Sequence, residues 1–330
     1  MMVDLKNYYE CYNCNSILTN TNKSVEHIIN NSIGGRSKSI NLICNECNLL
    51  FGNLIDKELA DQIGIFADLL AVKRDRTKEG TKIQLANKNG ELRLVGLGMM
   101  PLVRLTVNIN GEKKNNFINE IKYQEVLQKR IKELSKKFKK IEYKEGFEKP
   151  PKESLFIQNS LSRSPQEIGF GGINYFRSVA KIALNFYLSK KPNRQFCKDL
   201  ISFVVTGLGV CPVYFFYPTN IQPHNLYNDE VSHIIHIKGS SIYKFLYAYI
   251  ELFNMQNFIV ILNMDYTGED VNITYAYDLL RNTELHKDVS IRINRAHLEN
   301  MNLISLDTKS NMSYYYNRLI KIIESRQLTA

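Results

Sequence analysis

The chain has 330 residues, is 44% hydrophobic and 23% charged, and sets 43 Lys and Arg against 33 Asp and Glu for a formal net charge of +10. That composition excludes disordered and fibrous classes, and no uninterrupted apolar run approaches the ~20 residues of a membrane-spanning helix. Length suggests about two domains as a starting point, and the basic balance suits a polyanionic partner. The stretch from Met1 to Tyr9 has no apolar h-region, so no secretory signal is expected and the expectation is a cytoplasmic chain. The six cysteines then read as metal ligands or core thiols, not as a disulfide framework.

Composition divides the chain into a cysteine-rich head at residues 1–62, a basic middle at 63–150 and a larger C-terminal domain at 151–330. In the head, Cys11-Tyr12-Asn13-Cys14 is followed by Glu26-His27-Ile28-Ile29, Gly34-Gly35 and Asn41-Leu42-Ile43-Cys44-Asn45-Glu46-Cys47-Asn48. Two CxxC pairs separated by 29 residues suit tetrahedral Zn²⁺ bound by Cys11, Cys14, Cys44 and Cys47. So small a segment has few core residues, and the metal would supply part of its folding free energy. His27 is the first histidine of the chain, and none follows until His224. An isolated histidine is ordinarily a satisfied core or surface side chain. Here it directly follows a carboxylate inside a zinc-held loop, which favours a site.

With these residues in view, the head resembles the HNH endonucleases, in the subgroup with a four-cysteine zinc site. The pattern covers residues 11–60: Glu26-His27, Gly34-Gly35, Asn41, the second CxxC with Asn48, then Phe51-Gly52 and Ile55-Asp56. The resemblance implies a zinc-stabilised, treble-clef-like ββα-metal head in an α+β protein. It also implies His27 as general base, Asn41 bracing the loop that orients it, and Glu26 and Asn48 as ligands of one catalytic ion. The last motif position is Asn where His is commoner.

The chemistry can be reasoned independently. Phosphodiester hydrolysis needs an activated water, charge stabilisation and support for the leaving oxygen. A neutral imidazole takes a proton near neutral pH, and a divalent ion meets the other two needs. Oxygen ligands alone suit Mg²⁺ or Mn²⁺ better than Zn²⁺. Arg36 and Lys38, after Gly34-Gly35, are candidate phosphate contacts or ordinary solvated loop charges; Asp56 reads as structural.

In the middle region, residues 82–86 and 91–95 alternate in character around Asn89-Gly90, which predicts a hairpin; Leu102 to Val107 reads as a further strand. Leu127, Ile131, Leu134, Phe138 and Ile141 then form an apolar stripe at helical spacing. Lysines surround that stripe, among them Lys136, Lys137 and Lys140. They form a solvated face, a phosphate-contacting surface or the flank of a dimer seam. From 113 to 152 the chain has 13 basic and 6 acidic residues, +7 of the net +10, and Pro150-Pro151 reads as a linker.

The C-terminal domain reads as helices over 175–188 and 195–205. Strands follow over 213–217, 233–237, 243–252 and 258–262, with a turn at Thr267-Gly268. Helices followed by strands argue α+β. His233 and His236 are three apart on a strand and point to opposite faces, so one metal is not expected to hold both. Cys197 and Cys211 read as buried thiols, and Tyr314-Tyr315-Tyr316 as helix packing. The expected function is a metal-dependent DNA endonuclease in restriction or anti-phage defence. The C-terminal domain would recognise a DNA sequence, a modified base, a partner protein or a small signal, with a homodimer a further possibility. The rivals are a catalytically silent zinc-stabilised nucleic-acid-binding protein and an RNA-directed nuclease.

Overall fold

The computed structural model describes residues 9–75, 83–86, 92–95, 102–109, 112–118, 132, 136, 141–148, 156–158, 170–191, 193–218, 223–301 and 309–329. By contact they fall into two units: 1–67 with 72–75 and 170–324, and 68–71 with 76–169 and 325–330. The cysteine-rich head therefore packs in one unit with residues 170–324, a grouping that composition along the chain does not reveal.

In the first unit, β1 (Glu26–His27) and β2 (Lys38–Ser39) pair antiparallel, with Glu26 opposite Ser39 and His27 opposite Lys38. Helix α1 (Asn45–Phe51) runs through a π-helical turn at Gly52–Asp56 into α2 (Lys57–Leu69). The buried side of this run is Cys47, Phe51, Ile55, Leu59, Ile63 and Phe66, at spacings of three and four that place them on one helical face.

Among the described residues, the second unit holds two three-stranded antiparallel sheets. One joins β3 (Ile83–Ala86), β4 (Leu92–Val95) and β8 (Phe156–Gln158); the other joins β5 (Leu102–Ile109), β6 (Glu112–Ile118) and β7 (Ile141–Glu148). The hairpin expected around Asn89-Gly90 is present as a β3–β4 pair in which Ala86 faces Leu92, and its turn lies outside the described residues. One expectation is corrected: Ile141, counted in the helical stripe, opens β7 instead, pairing with Ile109. A β-branched residue followed by alternating Tyr143 and Phe147 suits a pleated strand better than the end of a helix.

Returning to the first unit, α3 (Ile173–Lys190) and α4 (Lys198–Thr206) precede a six-stranded antiparallel sheet. Its strands are β9 (Val213–Phe215), β10 (Ser232–Ser240), β11 (Phe245–Leu252), β12 (Gln256–Asn263), β13 (Val271–Asp278) and β14 (Thr283–Leu285). Their spatial order is β14-β13-β10-β11-β12-β9. Every residue of β11 is buried, which requires cover on both faces. α3 packs against β9, β10, β11 and β12. Phe245, Tyr247 and Tyr249 face a cluster with Ile291, Ile293, Leu298 and Met301, around the short helix α5 (Arg295–Glu299). Helix α6 (Lys309–Thr329) ends the described chain. Its Tyr315 is buried 5.5 Å from Tyr217 while Tyr314 is exposed, so this tyrosine run is mainly helix packing.

His233 and His236 are both buried and occupied. The Nε2 of His233 bonds Ile33 O at 2.8 Å and its Nδ1 accepts from the Phe253 N–H at 3.1 Å, which tethers the head to the sheet. His236 Nδ1 lies 2.9 Å from Thr274 Oγ1. Cys197 is buried as expected, and Cys211 is half-buried. No helix among the described residues is long and apolar enough to cross a membrane.

Candidate functional site

The four head cysteines come together. Cys11 and Cys14 lie on a tight knuckle closed by Cys11 N–H to Ser16 O at 2.8 Å and Asn15 N–H to Cys11 O at 2.9 Å. Cys44 caps α1, and Cys47 is its third residue. All four Sγ atoms lie within 4.8 Å of one another, with Cys14 and Cys44 at 3.8 Å. A tetrahedral zinc with Zn–S bonds of about 2.3 Å separates its sulfurs by roughly 3.8 Å, so the donor set fits Zn²⁺. Hydrogen bonds from Ser16 hold the Cys14 thiol down, while burial pushes the Cys11 and Cys47 thiols up. Asn13 Nδ2 donates to Cys47 Sγ at 3.0 Å, a contact that supports a ligand from outside the metal's own shell.

The hairpin turn depends on its two glycines. Gly34 has φ +94°, and a Cβ on Gly35 would sit 1.8 Å from Ile29 O, inside the backbone itself. This close approach folds the chain back so that Arg36 and Lys38 return beside His27.

Glu26 is 3% exposed and points into the protein. Three residues of α3, spaced to share a helical face, meet the head there. Lys181 Nζ donates to Glu26 Oε1 and, at 2.8 Å, to Asp56 Oδ2. Asn185 Nδ2 donates to Glu26 Oε1 at 3.0 Å, and Ser178 Oγ to Asp56 Oδ1 at 3.3 Å. The π turn at Gly52–Asp56 carries Asp56 in this cluster. Burial alone would push Lys181 down, yet Asp56 and Glu26 hold its ammonium above the usual lysine range. Two carboxylates thus share one buried cation.

A hard divalent ion was the expected partner of Glu26 and Asn48. Both donors to Glu26 fall on Oε1, and Asn48 uses Nδ2, donating to Ser24 Oγ at 2.6 Å. Glu26 Oε2 and Asn48 Oδ1 accept no hydrogen bond among the described residues. Ser24 precedes Glu26 by two positions on extended chain, so their side chains share a side. Asn48 is the fourth residue of α1, within its first turn. Tyr12 Oη and Asn185 Oδ1 are buried without a hydrogen-bond partner, and burial with the nearby charges of Glu26 and Asp56 pushes the Tyr12 phenol up. Orphan oxygens beside a net negative cluster are surroundings that a hard cation satisfies.

His27 Nε2 lies 3.2 Å from Asp75 Oδ2. Arg36 and Lys38 donate to the same carboxylate, Arg36 to Oδ1 and Lys38 to Oδ2. Arg36 also donates to Lys73 O at 2.6 Å and to Asn282 Oδ1 at 3.0 Å, so it is no freely solvated loop charge. The Asn41 N–H donates to Ser39 Oγ at 3.4 Å, on the strand that pairs with β1. The Asn41 side chain makes no hydrogen bond to the His27 loop among the described residues. The residue lines a groove of about 1060 Å³ with Tyr187, Arg194 and Tyr266. Leu42 O accepts from Tyr12 N–H at 3.1 Å, which fixes this stretch against the first knuckle. Lys136 is helical and exposed; Lys137 and Lys140 lie outside the described residues.

Sequence reasoning missed Lys181, Asn185 and Asp75. Lys181 and Asn185 are 155 and 159 residues from Glu26 and belong to no motif. The signal that existed was a lysine and an asparagine on the otherwise apolar stretch 179–188. Residues 11–63 match the family model for the HNH endonucleases. Comparison with curated proteins and with solved structures returns no match.

Proposed function

We propose, with the HNH endonuclease match at residues 11–63 as premise, that this chain is a metal-dependent DNA endonuclease. What supports the reading is that the family match spans His27 on β1, the four-thiol cluster and Asn48, which follows Cys47 in the first turn of α1. His27 acts as general base and takes a proton from the attacking water. Glu26 Oε2 and Asn48 Oδ1 would hold Mg²⁺ or Mn²⁺, which when bound neutralises phosphate charge and supports the leaving oxygen. Lys181 and Asn185 act as positioning residues: they fix the Glu26 carboxylate from behind, so that its second oxygen faces the site. Zinc at Cys11, Cys14, Cys44 and Cys47 fixes the start of α1 and with it Asn48. Asn41 braces the loop that orients His27. Exposed Lys136, with Lys137 and Lys140, contacts the DNA backbone, and the C-terminal domain supplies target or partner recognition. By analogy the setting is restriction or anti-phage defence.

A second reading has a specific observation in its favour. Glu26 and His27 are both already engaged, by Lys181 and Asp75, as in a silent nucleic-acid-binding protein. Incubating supercoiled plasmid, and RNA in parallel, with Mg²⁺ or Mn²⁺ separates the readings. Wild type should nick or linearise DNA and His27→Ala should not, at equal thermal stability. Equal cleavage by His27→Ala removes His27 as base; no cleavage by either supports the silent module; cleavage of RNA alone supports the RNA-directed nuclease.

A further inference from the structure

His27, Arg36 and Lys38 converge on a single carboxylate that belongs to no regular element. We propose that these three side chains form the pocket for the scissile phosphodiester of DNA, and that Asp75 is its internal occupant, displaced when substrate enters. The proposal rests on the endonuclease reading of the head for the fate of the phosphodiester, although not for the pocket itself.

The geometry is that of an anion site. Arg36 Nη1 is on Oδ1, while Lys38 Nζ and His27 Nε2 are on Oδ2, the last at 3.2 Å. A phosphodiester also presents two anionic oxygens and one negative charge, so it can replace the carboxylate on the Arg36 and Lys38 donors, with His27 released beside it. The hairpin assembles the three groups: His27 pairs with Lys38 across the strands, and Arg36 lies two residues before Lys38. Lys38 and Arg36 hold Asp75 well below the usual carboxylate range, with hydrogen bonds from Lys38 and His27 leading, so its carboxylate stays ionised.

Accessibility separates this cluster from the Glu26 cluster. Lys181 and Glu26 are 4% and 3% exposed, and their pair is a fixed part of the core. Asp75 and Lys38 are 25% and 41% exposed, where ion pairs are individually weak and screened by salt. The Asp75 N–H donates to Asn31 Oδ1 at 3.1 Å, the one backbone hydrogen bond of Asp75 to the head among the described residues. Asp75 also differs from a carboxylate that merely orients a catalytic histidine. Two permanent cations share it, and such sharing draws its charge away from the imidazole.

The test compares full-length wild type, Asp75→Asn, Asp75→Ser and Asp75→Asn/Arg36→Ala. Affinity for a short fluorescein-labelled duplex is read by anisotropy without added Mg²⁺ or Mn²⁺. Nicking of supercoiled plasmid is read with Mn²⁺ at subsaturating DNA. An occupant in place about nine-tenths of the time lowers apparent affinity about tenfold, so both single variants should bind about tenfold tighter and nick correspondingly faster. Arg36→Ala in the double variant should cancel the gain. Unchanged or weaker binding by both single variants overturns the proposal. So does unchanged binding with a fall in kcat, which would make Asp75 a positioning partner of His27. Tighter binding with no nicking by any form upholds the pocket and overturns the endonuclease reading instead.

Discussion

Lys181→Met probes the joint between the head and α3 most directly. The substitution keeps most of the side-chain volume, so it opens little cavity, but it leaves Glu26 and Asp56 facing each other without a cation. The side chains of Lys181, Glu26 and Asp56 are 4%, 3% and 14% exposed, so water can do little to compensate. Removing one partner of such a buried pair costs about 3–5 kcal/mol, chiefly through the uncompensated charge left behind. For a unit of this size that corresponds to a fall in Tm of about 6–20 °C. Guanidinium titration followed by far-UV circular dichroism gives the free energy. Lys57→Met is the control, because the Lys57–Asp61 pair is exposed on one helix and such pairs contribute about 0.3–0.5 kcal/mol. Adding Glu26→Gln to Lys181→Met should recover part of the loss, since it removes one of the two stranded charges. A loss below ~1 kcal/mol for Lys181→Met, or a double variant less stable than the single, would refute a buried charge pair as the joint.

Cys44→Ser should release zinc and unfold the head, seen as loss of metal by elemental analysis together with a lowered melting transition; unchanged metal content would contradict the four-thiol site. Asn48→Ala should weaken Mn²⁺ affinity and metal-dependent cleavage at least tenfold while melting and zinc content stay near wild type. Burial holds His233 down at about 4, against about 6.5 when unfolded. A histidine depressed by folding binds fewer protons in the native state, so the stability tied to its neutral form is full above the unfolded value and declines as pH falls from about 6.5 toward 4. The decline amounts to about 3 kcal/mol. His233→Leu, measured by denaturant titration across that range, should flatten the slope; an unaltered slope would place the acid sensitivity elsewhere, with His236 the next residue to examine.

Much of the secondary structure was legible because it is written in short-range pattern. The β3–β4 hairpin follows from alternation around Asn89-Gly90, and α3 from apolar residues at helical spacing. Ile141 shows where pattern misleads: an apolar residue at the right helical spacing is equally an apolar residue at the start of a strand. The strand β13 was missed because its exposed face interrupts the apolar run with Asn272, Thr274 and their neighbours.

The sequence by itself determined the chemistry the head has available. Cysteine spacing, the Glu26-His27 pair and Asn48 beside Cys47 are local, and metal ligation demands particular atoms at particular short separations, so composition and order suffice to read them. Tertiary structure alone decided what those groups face. Lys181 reaches Glu26 from 155 residues away, Asp75 meets His27 from 48, and His233 holds Ile33 from 200. A buried charge can be stabilised by any residue that folding brings within hydrogen-bond reach. No spacing rule in the chain identifies that partner, and only the packing of α3 and the central sheet against the head supplies it.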